Sequence, residues 1–227
     1  PGAALTDYAL VVAPALYLLT KADADNLTDF VARGGTLLAT YFSGIVDEHE
    51  HIVLGGYPAW LRPMLGLWVE EWAPYAEGQT NGVRFAGARG APVKTGHWCE
   101  VVHLEGARAL ATYTHDFFAG RAAVTEHAYG KGHAYYLGTK LERTGLDRVL
   151  DTACAKAEVA PVLVTPAGVE ATVREKDGQA FLFVLNHRDE AVRVNLGRRQ
   201  GTDLLTQQRC KGKVSLPPRG VAVIALA

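Results

Sequence analysis

The chain has 227 residues, of which 48% are hydrophobic and 21% charged, so its composition is that of a globular protein and excludes general disorder. Lysine and arginine number 23 against 24 aspartates and glutamates, which excludes the basic excess typical of proteins that neutralise nucleic-acid phosphates. The longest apolar run, residues 8–19, is shorter than the roughly 20 residues that a membrane-spanning helix needs. Composition therefore predicts a protein that has neither nucleic acid nor membrane among its partners.

The three cysteines, Cys99, Cys154 and Cys210, are widely separated along the chain. Because their number is odd and no two of them form a Cys-x-x-Cys pair, the sequence favours neither a disulfide framework nor a zinc site. We therefore expect a reducing, cytoplasmic setting.

Residues 1–160 are predicted to form an α/β domain. The apolar run at 9–13 has the pattern of a strand buried on both faces of a parallel sheet. Asp23 then begins an amphipathic helix that ends at Gly34 and Gly35, and residues 36–41 follow as a second strand. Together they make one βαβ unit, whose crossover should be right-handed. A short helix is predicted over 58–65, and a longer amphipathic helix begins near Leu146 and buries Cys154.

Residues 161–227 are predicted to form a small antiparallel β-sandwich. Apolar residues alternate with polar ones in three runs, 169–173, 181–185 and 192–196, which is the period of half-buried strands. Asp177 and Gly178 lie between the first two runs and predict a tight hairpin turn. The change in composition near Pro161 marks the boundary between the two domains.

The most metal-like segment is the acidic and histidine-rich run at 47–51. Consecutive residues project in different directions, so they do not converge on an ion as His-x-x-x-His does on a helix. A solvated loop explains the run better, and its position after a buried strand is where α/β folds place functional loops. We therefore predict an interface role for this loop and no metal site.

Catalytic patterns are absent from the sequence. Glu70 and Glu71 are adjacent and would point to opposite faces of a strand, whereas glycoside hydrolysis needs two carboxyl groups that face each other. Cys99, between His97 and His103, lacks the glycine-flanked turn that exposes a nucleophilic sulfur. No phosphate-binding or dinucleotide-binding glycine motif is present. The residues themselves therefore predict no catalytic group and no cofactor.

Four tryptophans leave a second interpretation open. Exposed aromatic rings stack on sugars, whereas rings beside an apolar helix usually pack in a core or an interface. The sequence favours packing without excluding a sugar-binding surface. The aromatic residues concerned are Trp60, Trp68, Trp72, Tyr75 and Trp98.

Several segments resemble the β-galactosidases of glycoside hydrolase family 42. Those similar to the trimerisation domain of that family are YALVVAPALYLL at 8–19, GGTLL at 34–38, FSGIVDE at 42–48, ALATYT at 109–114, YGKG at 129–132 and YLGT at 136–139. Those similar to its small C-terminal β domain are FLFVLNH at 181–187, DLLT at 203–206 and LPPRGVAV at 216–223. The order and spacing of these segments carry the resemblance over essentially the whole chain.

The resemblance implies a fold for each domain and places the catalytic residues elsewhere in the parent protein. Residues 1–160 should be an N-terminally truncated flavodoxin-like α/β domain, similar to class I glutamine amidotransferases, followed by a β-sandwich at 161–227. The hydrolytic glutamates of the family lie on an upstream (β/α)8 barrel of the same polypeptide, so no catalytic residue is carried over to this chain. The nucleophilic cysteine of the amidotransferases has no counterpart here.

We therefore expect the non-catalytic, oligomerising portion of a β-galactosidase whose parent hydrolyses terminal β-D-galactosides with retention. Two alternatives from other classes are a stand-alone carbohydrate-binding module and an amidotransferase-like enzyme that uses Cys99. The assembly should be a homotrimer, closed by a ring of three heterologous contacts. The residues expected at the interface are Ser43, Asp47, Glu48, His49, His51, Trp60 and Leu61.

Overall fold

The computed structural model describes residues 2–227, and the chain divides into two units, Pro1–Val159 and Ala160–Ala227. The strands of the first unit are β1 (Leu10–Ala13), β2 (Thr36–Thr40), β3 (Leu67–Pro74), β4 (Thr80–Phe85), β5 (Val93–Leu104), β6 (Arg108–Tyr113), β7 (Ala122–Tyr129), β8 (Gly132–Leu137) and β9 (Thr139–Leu141). Its helices are α1 (Lys21–Ala32), α2 (Arg62–Leu65) and α3 (Arg143–Lys156), with a 3-10 turn at Ala59–Leu61 before α2. The second unit contains β10 (Val169–Lys176), β11 (Gln179–Asn186), β12 (Val192–Asp203), β13 (Arg209–Leu216) and β14 (Val221–Leu226).

The first unit is organised around one mixed sheet. Its strand order is β1-β2-β8-β7-β6-β4-β5-β3, and β9 adds to the sheet by pairing with β5. Strand β2 lies parallel to both β1 and β8, whereas the other described pairings of this sheet are antiparallel. Only one edge of the sheet therefore has the parallel arrangement expected from the sequence.

The parallel edge contains the predicted βαβ unit. Helix α1 begins after Thr20, whose hydroxyl accepts a hydrogen bond of 3.1 Å from the backbone N–H of Asp23 and so caps the helix. The buried face of α1 includes Leu27, Phe30 and Val31. All five residues of β2 are buried, because the strand lies between two neighbours and is covered on both faces.

The prediction of a flavodoxin-like, glutamine amidotransferase-like α/β fold is wrong. Such a fold alternates parallel strands with helices that cover both faces of the sheet. Here the chain from β3 to β9 forms seven strands with no helix between them, and these strands pair mainly with antiparallel neighbours. The helix predicted over 58–65 is only a 3-10 turn followed by the four residues of α2, which ends at Gly66 with a φ of 63°.

Both faces of the large sheet are covered by apolar side chains. Alternate residues of β2 point to opposite faces, so Leu37 and Ala39 belong to one buried cluster and Leu38 to the other. The first cluster includes residues of α1 and α2, and the second includes Val149 and Ala153 of α3. Leu146 packs on the second cluster from the edge of α3, and Cys154 is half-buried.

The second unit is an antiparallel sheet of order β10-β11-β14-β12-β13. Asp177 and Gly178 form the turn between β10 and β11 with φ values of 52° and 77°, the left-handed pair that a tight hairpin needs. Strand β12 contains an irregularity between Asn195 and Gln200, and beyond it pairs with β14 as well as β13. Within residues 2–227, no helix is both long and apolar enough to cross a membrane.

Candidate functional site

The segments that follow β1 and β2 run side by side beyond the carboxyl ends of those strands. The backbone N–H of Gly44 donates to the carbonyl of Leu16 at 2.8 Å, and the N–H of Leu19 donates to the carbonyl of Val46 at 3.0 Å. Leu18 and Val46 form a parallel bridge that extends the β1–β2 pairing. The loop predicted to be functional therefore leaves a well-ordered edge of the sheet.

Ser43 is buried at the start of this loop, where it joins the two segments. Its hydroxyl donates to the carbonyl of Thr40 at 2.7 Å and accepts from the backbone N–H of Leu16 at 3.0 Å. The hydroxyl of Thr40 accepts from the N–H of Ala15 at 2.7 Å in the same way. Ser43 therefore shapes the loop from beneath and presents no surface of its own.

The predicted loop is a hairpin that spans residues 45–53. Val46 pairs with Ile52, and one carboxylate oxygen of Asp47 accepts hydrogen bonds of 2.8 and 2.9 Å from the backbone N–H groups of His49 and His51. These N–H groups, that of His51 above all, hold the pKa of Asp47 below its usual value. Asp47 therefore stabilises the hairpin from within by fixing the turn at its apex.

The hairpin projects both charged and apolar side chains into solvent. Glu48, His49, Glu50 and His51 are exposed at its apex. Beyond the apex, Ile52 is 58% exposed and Leu54 is 90% exposed, although both are large and apolar. Exposed large apolar side chains that lie together are typical of an interaction surface.

The other two predicted interface residues belong to the apolar cluster of the first unit. Leu61 is fully buried in the cluster that includes α1 and α2, whereas Trp60 is half-buried and packs against that cluster. The structure therefore brings Asp47, Glu48, His49 and His51 together in the hairpin, while Ser43 and Leu61 are supporting residues.

Sequence reasoning missed Glu100, the buried carboxylate that fixes the turn after β2. One of its oxygens accepts a hydrogen bond of 2.8 Å from the backbone N–H of Phe42, and the other accepts 2.6 Å from the hydroxyl of Tyr136. The indole N–H of Trp98 is 3.4 Å from the first oxygen. Burial, which outweighs these hydrogen bonds, raises the pKa of Glu100 to about 7. The available signal was a glutamate within the apolar run of β5.

Phe42 needs such support because its backbone is in the left-handed region, with a φ of 63°. For a residue with a side chain this conformation costs about 1 kcal/mol or more, so neighbouring contacts must hold it. The Phe42 ring stacks on Tyr17 at 5.1 Å and meets Trp98 edge-on at 4.9 Å and Trp72 at 5.5 Å. Tyr57 stacks on Trp72 at 5.0 Å. The turn is therefore held by the hydrogen bond from the Phe42 backbone to Glu100 and by the aromatic rings that pack on the Phe42 side chain.

The tryptophans pack against other side chains and do not form a row of free platforms. Trp72 and Trp98 lie within the cluster around Phe42, and the buried indole N–H of Trp72 has no hydrogen-bond partner among residues 2–227. Trp68 lies between His103, which stacks on it at 4.5 Å, and the guanidinium of Arg62 at 5.6 Å. This geometry favours a packing role over sugar stacking.

Cys99 is buried, and burial raises the pKa of its thiol. Its sulfur lies 3.2 Å from the hydroxyl of Thr139, and the ring of His103 is hydrogen-bonded to Glu70. This environment lacks what an activated nucleophile requires, and the amidotransferase-like interpretation is unsupported. Among residues 2–227, no group of three or more histidine, cysteine, aspartate or glutamate side chains is arranged to hold a metal.

Two sequence profiles match the chain. The profile of the β-galactosidase trimerisation domain matches residues 1–160, and that of the β-galactosidase C-terminal domain matches residues 168–226. The chain belongs to the family 42 β-galactosidases. It comprises their trimerisation and C-terminal domains, which confirms the resemblance seen in the sequence motifs.

Full-length family 42 β-galactosidases agree with this assignment. β-Galactosidase BgaA of Planococcus sp. is 40% identical over 226 residues, which cover 97% of this chain and 33% of that protein. The crystal structure of the β-galactosidase from Bacillus circulans sp. alkalophilus superposes with a TM-score of 0.93 at 35% identity, over 100% of this chain and 34% of that one. The Rahnella sp. R3 enzyme gives a TM-score of 0.89 at 34% identity, over 98% of this chain and 33% of that one. The chain thus spans about a third of the length of its curated relatives.

Proposed function

We propose that this family 42 chain assembles copies of a β-galactosidase into a homotrimer and that its first unit makes the contacts. The observation that carries the proposal is the match of the trimerisation profile to residues 1–160. In this proposal the parent protein hydrolyses terminal β-D-galactosides through a pair of carboxyl groups on a catalytic barrel elsewhere in the same polypeptide. A cytoplasmic location belongs to the same proposal and is supported by the three cysteines, all of them free thiols.

The proposed interface is centred on the hairpin at 45–53. Its apex supplies Glu48, His49 and His51, while Asp47 and Ser43 hold the hairpin in place. Trp60 and Leu61 were expected at the same interface; Trp60 is half-buried and Leu61 is buried in the cluster that includes α1 and α2. The exposed apolar side chains next to the apex provide apolar area that assembly would bury.

The test is the molar mass of the purified chain, measured by light scattering during size exclusion over a range of concentrations. We expect a trimer that dissociates on dilution. A chain that remains monomeric at high concentration would contradict the assembly role. In parallel, the chain should not hydrolyse a chromogenic β-galactoside above the uncatalysed rate, because we assign hydrolysis to another part of the parent.

A further inference from the structure

Two exposed surfaces of the first unit lie at the same end of its large sheet. The hairpin at 45–53 follows the carboxyl end of β2, where Thr40 pairs with Leu137 of the parallel strand β8. Leu137 pairs in turn with Val124 near the start of β7, which runs antiparallel to β8. The loop at 114–121, which leads from β6 into β7, must therefore lie at the same end as the hairpin.

The hairpin surface, defined as Glu48, Glu50, Ile52 and Leu54, combines negative charge with exposed apolar area. All four residues are exposed, and within the described part of the chain neither glutamate has an ion-pair partner. The carboxylate of Asp47 accepts hydrogen bonds from the backbone N–H groups of His49 and His51 and so fixes the turn that carries the two glutamates. Because the single chain already forms this turn, less conformational entropy is lost there on association.

The loop surface, defined as His115, Phe117 and Arg121, has the complementary character. Phe117 is 72% exposed, and Arg121 has no carboxylate partner among residues 2–227. The nearest polar contact of the Arg121 guanidinium is His103, at 3.5 Å. The loop thus offers an exposed aromatic ring at Phe117 and, at Arg121, a guanidinium without a carboxylate partner in the described chain, and these match a surface of aliphatic side chains and carboxylates.

The loop surface is also held in place by buried neighbours. The side chain of Asn81 accepts from the N–H of His115 at 3.1 Å and donates to its carbonyl at 2.9 Å. Phe118 is buried and meets Tyr113 edge-on at 4.8 Å, which anchors the middle of the loop. The carboxylate of Asp116 already accepts hydrogen bonds from the Tyr75 hydroxyl at 3.0 Å and from the backbone N–H of Phe117 at 2.8 Å.

We propose that the hairpin surface of one copy of this chain docks on the loop surface of the next copy, so that three such contacts close a ring. Ile52 and Leu54 pack against Phe117, and Glu48 and Glu50 face Arg121. The partner is a second copy because one chain carries both complementary surfaces, each with charges that are unpaired in the single chain. Two different patches on each copy make the contact heterologous, and heterologous contacts close into rings when the rotation permits.

This inference rests on the proposed trimer, and charge reversal tests it separately. Arg121→Glu and the double variant Glu48→Arg/Glu50→Arg should each raise the dissociation constant at least tenfold, measured by sedimentation equilibrium at low salt. The triple variant that combines them should recover to within about threefold of the unmodified chain, because the charges again oppose each other. Glu77→Arg, which alters another exposed glutamate of the first unit, serves as the matched control and should leave the constant unchanged.

A second pair of variants tests the apolar part of the contact. Leu54→Asp should abolish the trimer, whereas Val164→Asp should not, although Val164 is likewise large, apolar and exposed at 86%. Circular dichroism spectra that match the unmodified chain would show that each variant is folded. If the chain is a trimer that none of the hairpin or loop variants weakens, these surfaces are not the contact, and the proposed homotrimer stands with its contacts elsewhere on the first unit. If the unmodified chain is a monomer, both proposals are overturned.

Discussion

The carboxylate of Glu100 accepts a hydrogen bond of 2.8 Å from the backbone N–H of Phe42, which lies 58 residues earlier in the chain. This contact joins strand β5 of the antiparallel part of the sheet to the end of the parallel strand β2. It also holds Phe42 in a left-handed conformation at the point where the hairpin segment begins. The geometry of the proposed assembly surface therefore depends on a buried carboxyl group that lies outside it.

Burial of Glu100 makes the stability of the first unit depend on pH. Because its pKa is raised from 4.5 to about 7, the folded state binds more protons than the unfolded state between these values. The stability contributed by the protonated group is full below pH 4.5 and is lost as the pH rises through 7. Glu100→Gln removes this dependence, so its unfolding free energy relative to the unmodified chain should rise by on the order of 2 kcal/mol between pH 5 and pH 8.

Tryptophan fluorescence during denaturant unfolding measures the stability of the first unit, since all four tryptophans lie in it. Glu71→Gln, at an exposed glutamate of β3, is the matched control and should leave the pH dependence as it is. Equal pH dependence in the Glu100→Gln variant and the unmodified chain would contradict the assigned role of Glu100.

Gly44 tests whether the turn after β2 tolerates a side chain. Its φ is 63°, and a Cβ atom at this position would lie 2.7 Å from the carbonyl oxygen of Pro58. Gly44→Ala should therefore destabilise the first unit by about 2–4 kcal/mol, through backbone strain and collision with a main-chain atom. Gly87→Ala is the control, because its φ of 70° imposes a similar strain but no atom lies within 4 Å of the added Cβ. Similar losses in the two variants, by thermal unfolding, would refute the collision.

Asp203 gives the second unit a pH dependence of the opposite sign. Burial raises its pKa, but hydrogen bonds from the hydroxyl of Thr206 at 2.6 Å and from the N–H groups of Val223 and Leu205 outweigh burial, so the pKa is lowered from 3.8. The ionised group contributes stability above pH 3.8, and this contribution is lost as the pH falls through the lower folded value.

Asp203→Asn should therefore destabilise the second unit by about 1–3 kcal/mol at pH 7 and by less as the pH falls below 3.8, because the amide replaces an acceptor by a donor. Hydrogen exchange of peptides from β11 and β14, read by mass spectrometry, reports on this unit alone. Asp189→Asn, at an exposed aspartate paired with Arg219, is the control and should change exchange little. Unchanged protection in the Asp203→Asn variant at pH 7 would disprove the role of the carboxylate.

The sequence predicts the parallel edge of the first unit well because the signals there are local. The second strand and the glycine pair that ends α1 were predicted correctly, and β2 is buried at all five positions. The apolar run at 9–13 predicted burial on both faces, but β1 lies at the edge of the sheet with Val12 44% exposed, and α1 is capped by Thr20, three residues before the predicted Asp23. Strand β5 shows why the fold class was missed. Its residues 99–102 are all buried, so the alternation that marks an antiparallel strand is lost in its middle.

The candidate site likewise combines a feature with a local sequence signal and features that depend on contacts between distant residues. An exposed loop at 47–51 could be predicted because its acidic and histidine-rich residues are consecutive and follow a buried strand, but its hairpin form could not. The role of Glu100 could not, because its partners Phe42 and Tyr136 are distant in sequence and only the sheet brings them together. Arg121 and Phe117 carry no pattern at all, and their placement beside the end of β2 depends on the pairing of β7 with β8.

The thiol of Cys99 supplies a direct test of the interpretation that this chain has no cysteine nucleophile. Cys99 is buried in β5 with its pKa raised by burial, whereas Cys154 is half-buried on α3. The reactive species is the thiolate, so Cys99 should be alkylated by iodoacetamide at pH 7.5 far more slowly than Cys154 in the native chain. Mass spectrometry of peptides from a labelling time course measures both rates in one sample.

In denaturant the two cysteines should react at similar rates, because the difference arises from the fold. If native Cys99 instead reacted faster than Cys154, the thiol would be accessible and activated, and a nucleophilic role would have to be reconsidered.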